Sequence, residues 1–114
     1  MQAAAILNSR PSYNNDMRLP KLTPDQIDDA LKTLTNWQAI EGKLHRDYKF
    51  SDFIHAFGFM ATAAIAIEKM NHHPEWSNVY NRVAIDLSTH DSGGITKNDV
   101  ELAHLLEAIA AKLL

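Results

Sequence analysis

Cysteine is absent from the 114 residues, which excludes disulfides, thiolate metal sites and a thiol nucleophile. The same absence fits a reducing compartment. Positive charge is not in excess: 11 Lys and Arg stand against 14 Asp and Glu, a formal net charge of -3. A chain balanced in this way is not built to neutralise nucleic-acid phosphates, so direct nucleic-acid binding is not expected. No uninterrupted apolar run approaches the roughly 20 residues that span a bilayer. The longest, within Phe53 to Ile67, is broken by His55 and Gly58 and carries threonine. A membrane role is therefore not expected. No internal repeat is strong enough to argue from.

What is present reads as one globular domain. Hydrophobic residues make up 46% of the chain, enough for one core, yet the length is small enough that assembly with other copies would help it. Met1 to Pro20 carries Arg10 and Arg18 with Asp16 as its one acid. It faintly resembles a mitochondrial presequence but lacks an amphipathic face. Residues 1–20 are accordingly expected to be a flexible tail, and 21–114 the domain.

Thr23-Pro24-Asp25-Gln26 combines an N-cap, a first-turn proline and a capping-box glutamine, so a helix should begin there, with Ile27, Leu31 and Leu34 on one face. Trp37 to Ile40 and Leu44 to Phe50, joined through Glu41-Gly42, read as a hairpin. Its second strand turns Leu44, Tyr48 and Phe50 one way and His45, Asp47 and Lys49 the other, with Arg46 an exception on the apolar face. Ser51-Asp52 opens a helix to about Asn71 that is apolar over more than one face. Phe53, Phe57, Met60, Ala64 and Ile67 are expected as core on one side, and Ile54, Ala61 and Ile65 lie on another, to be covered by a partner subunit. A second hairpin pairs Trp76–Tyr80 with Val83–Thr89, turning near Asn81-Arg82. Gly93-Gly94 breaks the chain, and Thr96 caps a last helix whose Leu102, Leu105, Leu106, Ile109 and Leu113 face the core. The order implies an α+β fold: a four-stranded antiparallel sheet with three helices packed on one face.

The chemistry concentrates in histidine. Neutral imidazole takes or gives a proton near pH 7 without a large perturbation. His72 and His73 end the long helix pattern, and His90 ends the last strand pattern, so packing of helix on sheet can bring sequence-distant rings around one cleft. His45, His55 and His104 read as ordinary surface or core residues. Adjacent His72 and His73 can share one ion only with unusual backbone geometry, and a His-Glu-x-x-His spacing is absent, so no metal site is expected.

The run Glu68-Lys69-Met70-Asn71-His72-His73-Pro74, followed by Tyr80, His90 and Asp99, resembles the signature of the pterin-4a-carbinolamine dehydratases. In that signature an acidic residue precedes His-His-Pro, and an aromatic residue, a third His and an Asp follow. The resemblance extends through Trp37, Asp52-Phe53 and Ala56 to Met60 upstream and Leu87 to His90 downstream, covering about Thr23 to the C-terminus. One departure is Asn71, where many members carry Asp.

The resemblance implies the same architecture and a lyase that dehydrates 4a-hydroxytetrahydrobiopterin to quinonoid dihydrobiopterin, in tetrahydrobiopterin recycling after an aromatic amino-acid hydroxylase. It implies His72 and His90 as the proton-transfer pair, with His73 orienting the pterin. Trp37 and Pro74 would be apolar walls. Ser88, Thr89 and backbone groups near Asn71 would hold the polar edge of the ring, and Asp99 and Glu68 would orient histidines. No metal or redox cofactor is implied. Homodimers or homotetramers built partly through helices are, with a cytoplasmic location.

Two other readings follow from the same resemblance. Animal members also stabilise dimers of a homeodomain transcription factor, an adaptor role that would add a nuclear location, and a pterin role in molybdopterin metabolism would keep the pocket but change the substrate. Single residues have alternatives too. Asp99 is the fourth residue of a capping box that starts at Thr96, and Glu68, one turn before His72, can simply pair with it.

Overall fold

Thr23 opens the first helix as the sequence implies: its hydroxyl accepts from the Gln26 N–H at 3.2 Å, and the Gln26 side chain accepts from the Thr23 N–H at 2.8 Å. In the computed structural model, which describes residues 18–114, this helix, α1, runs Pro24–Leu31. Residues 1–17 of the expected tail lie outside the described residues. The stretch that follows them is already attached: Ser92 Oγ donates to the Leu19 carbonyl at 2.5 Å and the Leu22 N–H to the Ile95 carbonyl at 2.9 Å.

Strands β1 (Gln38–Ile40) and β2 (Lys43–Lys49) form the first hairpin around Glu41 and Gly42, both at positive φ. A two-residue turn with that pair of angles matches the twist of its strands. Strands β3 (Glu75–Val79) and β4 (Arg82–Leu87) form the second, turning at Tyr80-Asn81, one residue earlier than expected. The sheet order is β1-β2-β4-β3, every pairing antiparallel. The two hairpins thus meet along β2 and β4, with Leu44 opposite Leu87 and Tyr48 opposite Val83.

One face of this sheet carries buried Leu44, Tyr48, Val83, Ile85 and Leu87, and the helices pack there, giving the expected α+β fold. Helix α2 (Phe53–Met70) is capped by Asp52, whose carboxylate accepts from the His55 N–H. Helix α3 (Lys97–Ala111) begins at Thr96 and lays Leu102, Ala103, Leu106 and Ala110 into the core. Arg46, the exception on the apolar face of β2, lies 3.9 Å over the Tyr48 ring and donates Nε–H to Glu107 of α3 at 3.1 Å. Its guanidinium is satisfied by stacking and pairing, so it interrupts the pattern without leaving a buried charge unpaired.

The expected core stripe of α2 is corrected. Its buried residues are Ala56, Phe59, Ala63 and Ile67, whereas Phe53 and Phe57 are 46% and 55% exposed. The helix is apolar nearly all round, so periodicity could not tell which of its stripes meets the sheet. Small residues at 56 and 63 let the backbone approach closely, and Phe59 between them fills the space against Tyr48 and Phe50. Ile54 and Ile65, expected on a second apolar face, are exposed as well. By length and composition alone, with 18 residues at mean hydropathy 1.3, α2 matches a membrane span. The stripe it buries against sheet and α3 is what a core helix buries. Leu105 of α3, expected in the core, is 38% exposed, beside the buried Leu106.

Candidate active site

The end of α2 is made by Asn71, which adopts the left-handed conformation (φ 52°, ψ 44°) and donates its N–H to the carbonyls of Glu68 and Ile67. Asparagine tolerates this conformation better than most side chains. The reversal sends His72 inward and His73 outward. His72, with a side chain only 12% exposed, donates Nε2–H to Asp99 Oδ1 at 2.6 Å. His73 is 56% exposed and donates Nε2–H to Glu68 Oε1 at 3.0 Å. Glu68 therefore pairs with His73, not with His72, because the left-handed residue between them turns the first imidazole away from the helix face that Glu68 occupies.

Asp99 resolves its two readings by doing both. It is fully buried, one oxygen turned to His72 and the other accepting the Thr96 N–H at 2.8 Å and the Thr89 hydroxyl at 2.9 Å. A buried carboxylate needs such donors on both oxygens, since leaving either bare costs several kcal/mol (~1–3 or more). The helix cap and the histidine partner are therefore one group. Thr89 Oγ1 also lies 2.6 Å from Thr96 Oγ1, a contact that the sequence reading of Thr96 as a simple cap missed. The signal available was the pairing of two threonines across Gly93-Gly94, which the structure closes through a bridge between Thr89 and Gly94.

Ladder register places the remaining candidates. Leu87 lies opposite Leu44, and Asp86 opposite Glu75, so the chain beyond Leu87 runs between the Glu41–Lys43 turn on one side and His72–Pro74 on the other. Ser88, Thr89 and exposed His90 line a hollow of about 220 Å³ with Glu41, Gly42 and Lys43. His90 opens a short 3-10 turn, His90–Ser92, that Gly93 ends at φ 73°. Lys43 closes that side by reaching Glu75 at 2.5 Å. Its ammonium is held more strongly protonated by the hydrogen bond and charge of Glu75. Larger hollows lie between α1 and α3 (about 630 Å³) and on the open sheet face (about 450 Å³), but neither is lined by any candidate residue. Chemistry, not size, marks the site.

Trp37 is corrected. It is 3% exposed, sits edge-on to Tyr48 and donates Nε1–H to Glu107 at 3.1 Å. A ring enclosed in this way presents no face to a ligand, and Glu107 stands two helical turns along α3 from Asp99. Burial works against the charge on Glu107, but the hydrogen bonds from Tyr48, Arg46 and Trp37 outweigh it and hold the carboxyl below its ordinary range. Pro74 is half-buried at the start of β3 and Asn71 is exposed.

The structure thus joins His72, Thr89 and Asp99 in one network, pairs His73 with Glu68, and sets His90 beside Thr89. The histidines outside it have local partners. His55 bonds the capping Asp52 at 2.6 Å and His104 lies 3.5 Å from Thr33. His45 spans Asp86 and Asp47, each at 2.8 Å. Among the described residues, no three His, Cys, Asp or Glu side chains converge to hold a metal ion. The arrangement can move protons: a buried carboxylate fixes one imidazole, and two others stand nearer solvent.

Comparison with known proteins gives concordant matches. The family model described as pterin 4 alpha carbinolamine dehydratase matches residues 20–109. A protein of Solibacter usitatus provisionally named a pterin-4-alpha-carbinolamine dehydratase is 60% identical over 91 residues, covering 80% of this chain and 96% of its own. One of Burkholderia multivorans with the same provisional name is 50% identical over 93 residues, 80% of this chain and 91% of its own. The crystal structure of a transcriptional coactivator/pterin dehydratase from Brucella melitensis is similar at TM-score 0.76 and 47% identity, over 79% of this chain and 98% of that one.

Proposed function

Since the chain belongs to the pterin-4a-carbinolamine dehydratase family, we propose that it dehydrates 4a-hydroxytetrahydrobiopterin to quinonoid dihydrobiopterin by imidazole acid–base catalysis. The observation that carries this reading is the 2.6 Å bond from His72 to the fully buried Asp99, which also receives Thr89, the neighbour of His90. In the reaction the C4a–O bond breaks and the hydroxyl leaves as water with a proton from one imidazole. The N5–H proton passes to a second imidazole, and the N5 electron pair forms the C4a–N5 double bond. His72 and His90 are the pair assigned these transfers, each worth roughly a hundredfold or more. His73, steadied by Glu68, orients the heterocycle, while Pro74 and Ser88 border it. No electron is transferred, so the chemistry asks for no redox cofactor. The product would pass to a reductase, and the substrate would come from an aromatic amino-acid hydroxylase.

The test is the dehydration rate of a freshly generated 4a-carbinolamine, followed spectroscopically with the native protein, His72→Ala and His90→Ala. A native rate well above solvent, lost in both variants, supports the reading. A native rate equal to solvent would end it.

A second reading rests on the exposed Phe53, Ile54, Phe57 and Ile65 of α2. An apolar face of this kind on a small domain suits burial against another subunit, and we propose a homo-oligomer formed through it. The structural relative from Brucella melitensis carries the words transcriptional coactivator, and an adaptor role would use the same face. Ile54→Glu with Ile65→Glu should lower the assembly mass in light scattering; an unchanged mass would count against the interface.

A further inference from the structure

The hydrogen bonds of the network around Asp99 can be assigned a single direction each, and together they name the working nitrogen of His72. Thr96 N–H and Thr89 O–H both point at Asp99 Oδ2. Because Thr89 spends its one hydroxyl proton there, its oxygen can only accept from Thr96 Oγ1, 2.6 Å away. Thr96 in turn donates to Thr89 and accepts the Asn98 N–H at 3.2 Å. Every proton in the relay runs toward Asp99, and an ionised carboxylate accepts at Oδ1 as well, so His72 supplies the proton on Nε2. The ring's other nitrogen is left without a partner in that network.

We propose that Thr96 is a positioning residue for the dehydration, acting through Thr89 and Asp99 to hold His72 in the Nε2–H tautomer, so that Nδ1 is the nitrogen that exchanges a proton with the pterin. This rests on the reaction proposed above. Thr96 touches no substrate: it is fully buried and serves α3 as its cap. The titratable groups on the elements that meet at His72 are Asp99 of α3, Glu68 at the end of α2, His73 beyond the Asn71 turn and His90 after β4. Glu68 is occupied by His73, which leaves Asp99 as the group that decides the tautomer.

The test uses the full chain labelled with nitrogen-15. In the native protein, neutral His72 should show a proton-bearing Nε2 and a bare Nδ1. Thr96→Val removes the hydroxyl at nearly constant shape and deprives Thr89 of its donor; Thr89→Val deprives Asp99 directly. With the Thr89 hydroxyl unanchored in one variant and absent in the other, Asp99 is held less firmly against the ring, so in both variants the nitrogen-15 signals of neutral His72 should report a mixture of the two tautomers. kcat should fall about tenfold with KM within about twofold, and Thr96→Ser should restore both. If the lost cap unfolds Thr96→Val, Thr89→Val carries the same readout. A proton-bearing Nδ1 in the native protein, or an unmixed Nε2–H tautomer of His72 in Thr89→Val, would overturn the proposal. The ring assignments need no substrate, so failure of the dehydration reaction itself would show separately, as no turnover in any of the proteins.

Discussion

His72 and Asp99, 27 positions apart in sequence, meet at 2.6 Å where the end of α2 crosses the start of α3. Around the carboxylate every neighbour is a donor: the imidazole on one oxygen, the Thr89 hydroxyl and Thr96 N–H on the other. Asn cannot accept at both ends, because its amide nitrogen would face one of these donors. Asp99→Asn should therefore lose about 2 kcal/mol of stability in urea unfolding and roughly a hundredfold in kcat. Retention of native turnover would show that the carboxylate serves the helix cap alone.

Asn71 holds the turn that ends α2 ahead of the two adjacent imidazoles, at φ 52°. Asn71→Gly should be accommodated with stability within about half a kcal/mol of native, glycine being free in this region. Asn71→Ala should cost about 1 kcal/mol by the strain of the left-handed conformation. Thermal or urea unfolding of the two variants distinguishes them, and equal stability of both would mean that residue 71 can leave this conformation at no cost.

Trp37 anchors β1 to α3 through Glu107 and lies away from the His72 network. Trp37→Phe keeps the ring and removes the donor, so it should cost about 1 kcal/mol of stability while KM for the pterin stays at the native value. A severalfold rise in KM in a folded protein would return Trp37 to the binding site.

The sequence announced the fold through local signals that tertiary packing had no reason to overrule. The capping boxes at Thr23 and Thr96 start α1 and α3 where the pattern puts them, and alternation in Leu44–Phe50 gives the buried face of β2. What stayed hidden was orientation. Nearly every stripe of α2 is apolar, and only contact with the sheet selects Ala56, Phe59, Ala63 and Ile67 over Phe53 and Phe57. The site was legible as a set of residue types at suggestive spacings, but its pairings were not. One residue at positive φ decides that Glu68 meets His73, and a strand-to-helix junction closed by Gly93-Gly94 decides that the Thr89 hydroxyl meets Asp99. Trp37 was implied as an apolar wall by the family resemblance, and its partner Glu107, 70 positions away, lies beyond the reach of any local pattern.

On the open sheet face His45 lies between Asp47 and Asp86, and its hydrogen bonds to both, in that order of weight, raise its pKa above the ordinary 6.5. A folded pKa above the unfolded one stabilises the protein fully below about pH 6.5, and this contribution is lost as pH rises through the higher folded value. Melting temperature should therefore decline over that window in the native protein, and His45→Gln should decline less. Parallel profiles for the two proteins would show that the imidazolium contributes nothing to folding.

The central claim is that His72, His73 and His90 serve one pterin. Titrating the labelled protein with dihydrobiopterin, a stable pterin, while following all six histidine rings tests it most directly. The rings of His72, His73 and His90 should shift together along one saturation curve, with His45, His55 and His104 unmoved. Shifts confined to the latter three, or none at all at saturating pterin, would contradict the claim.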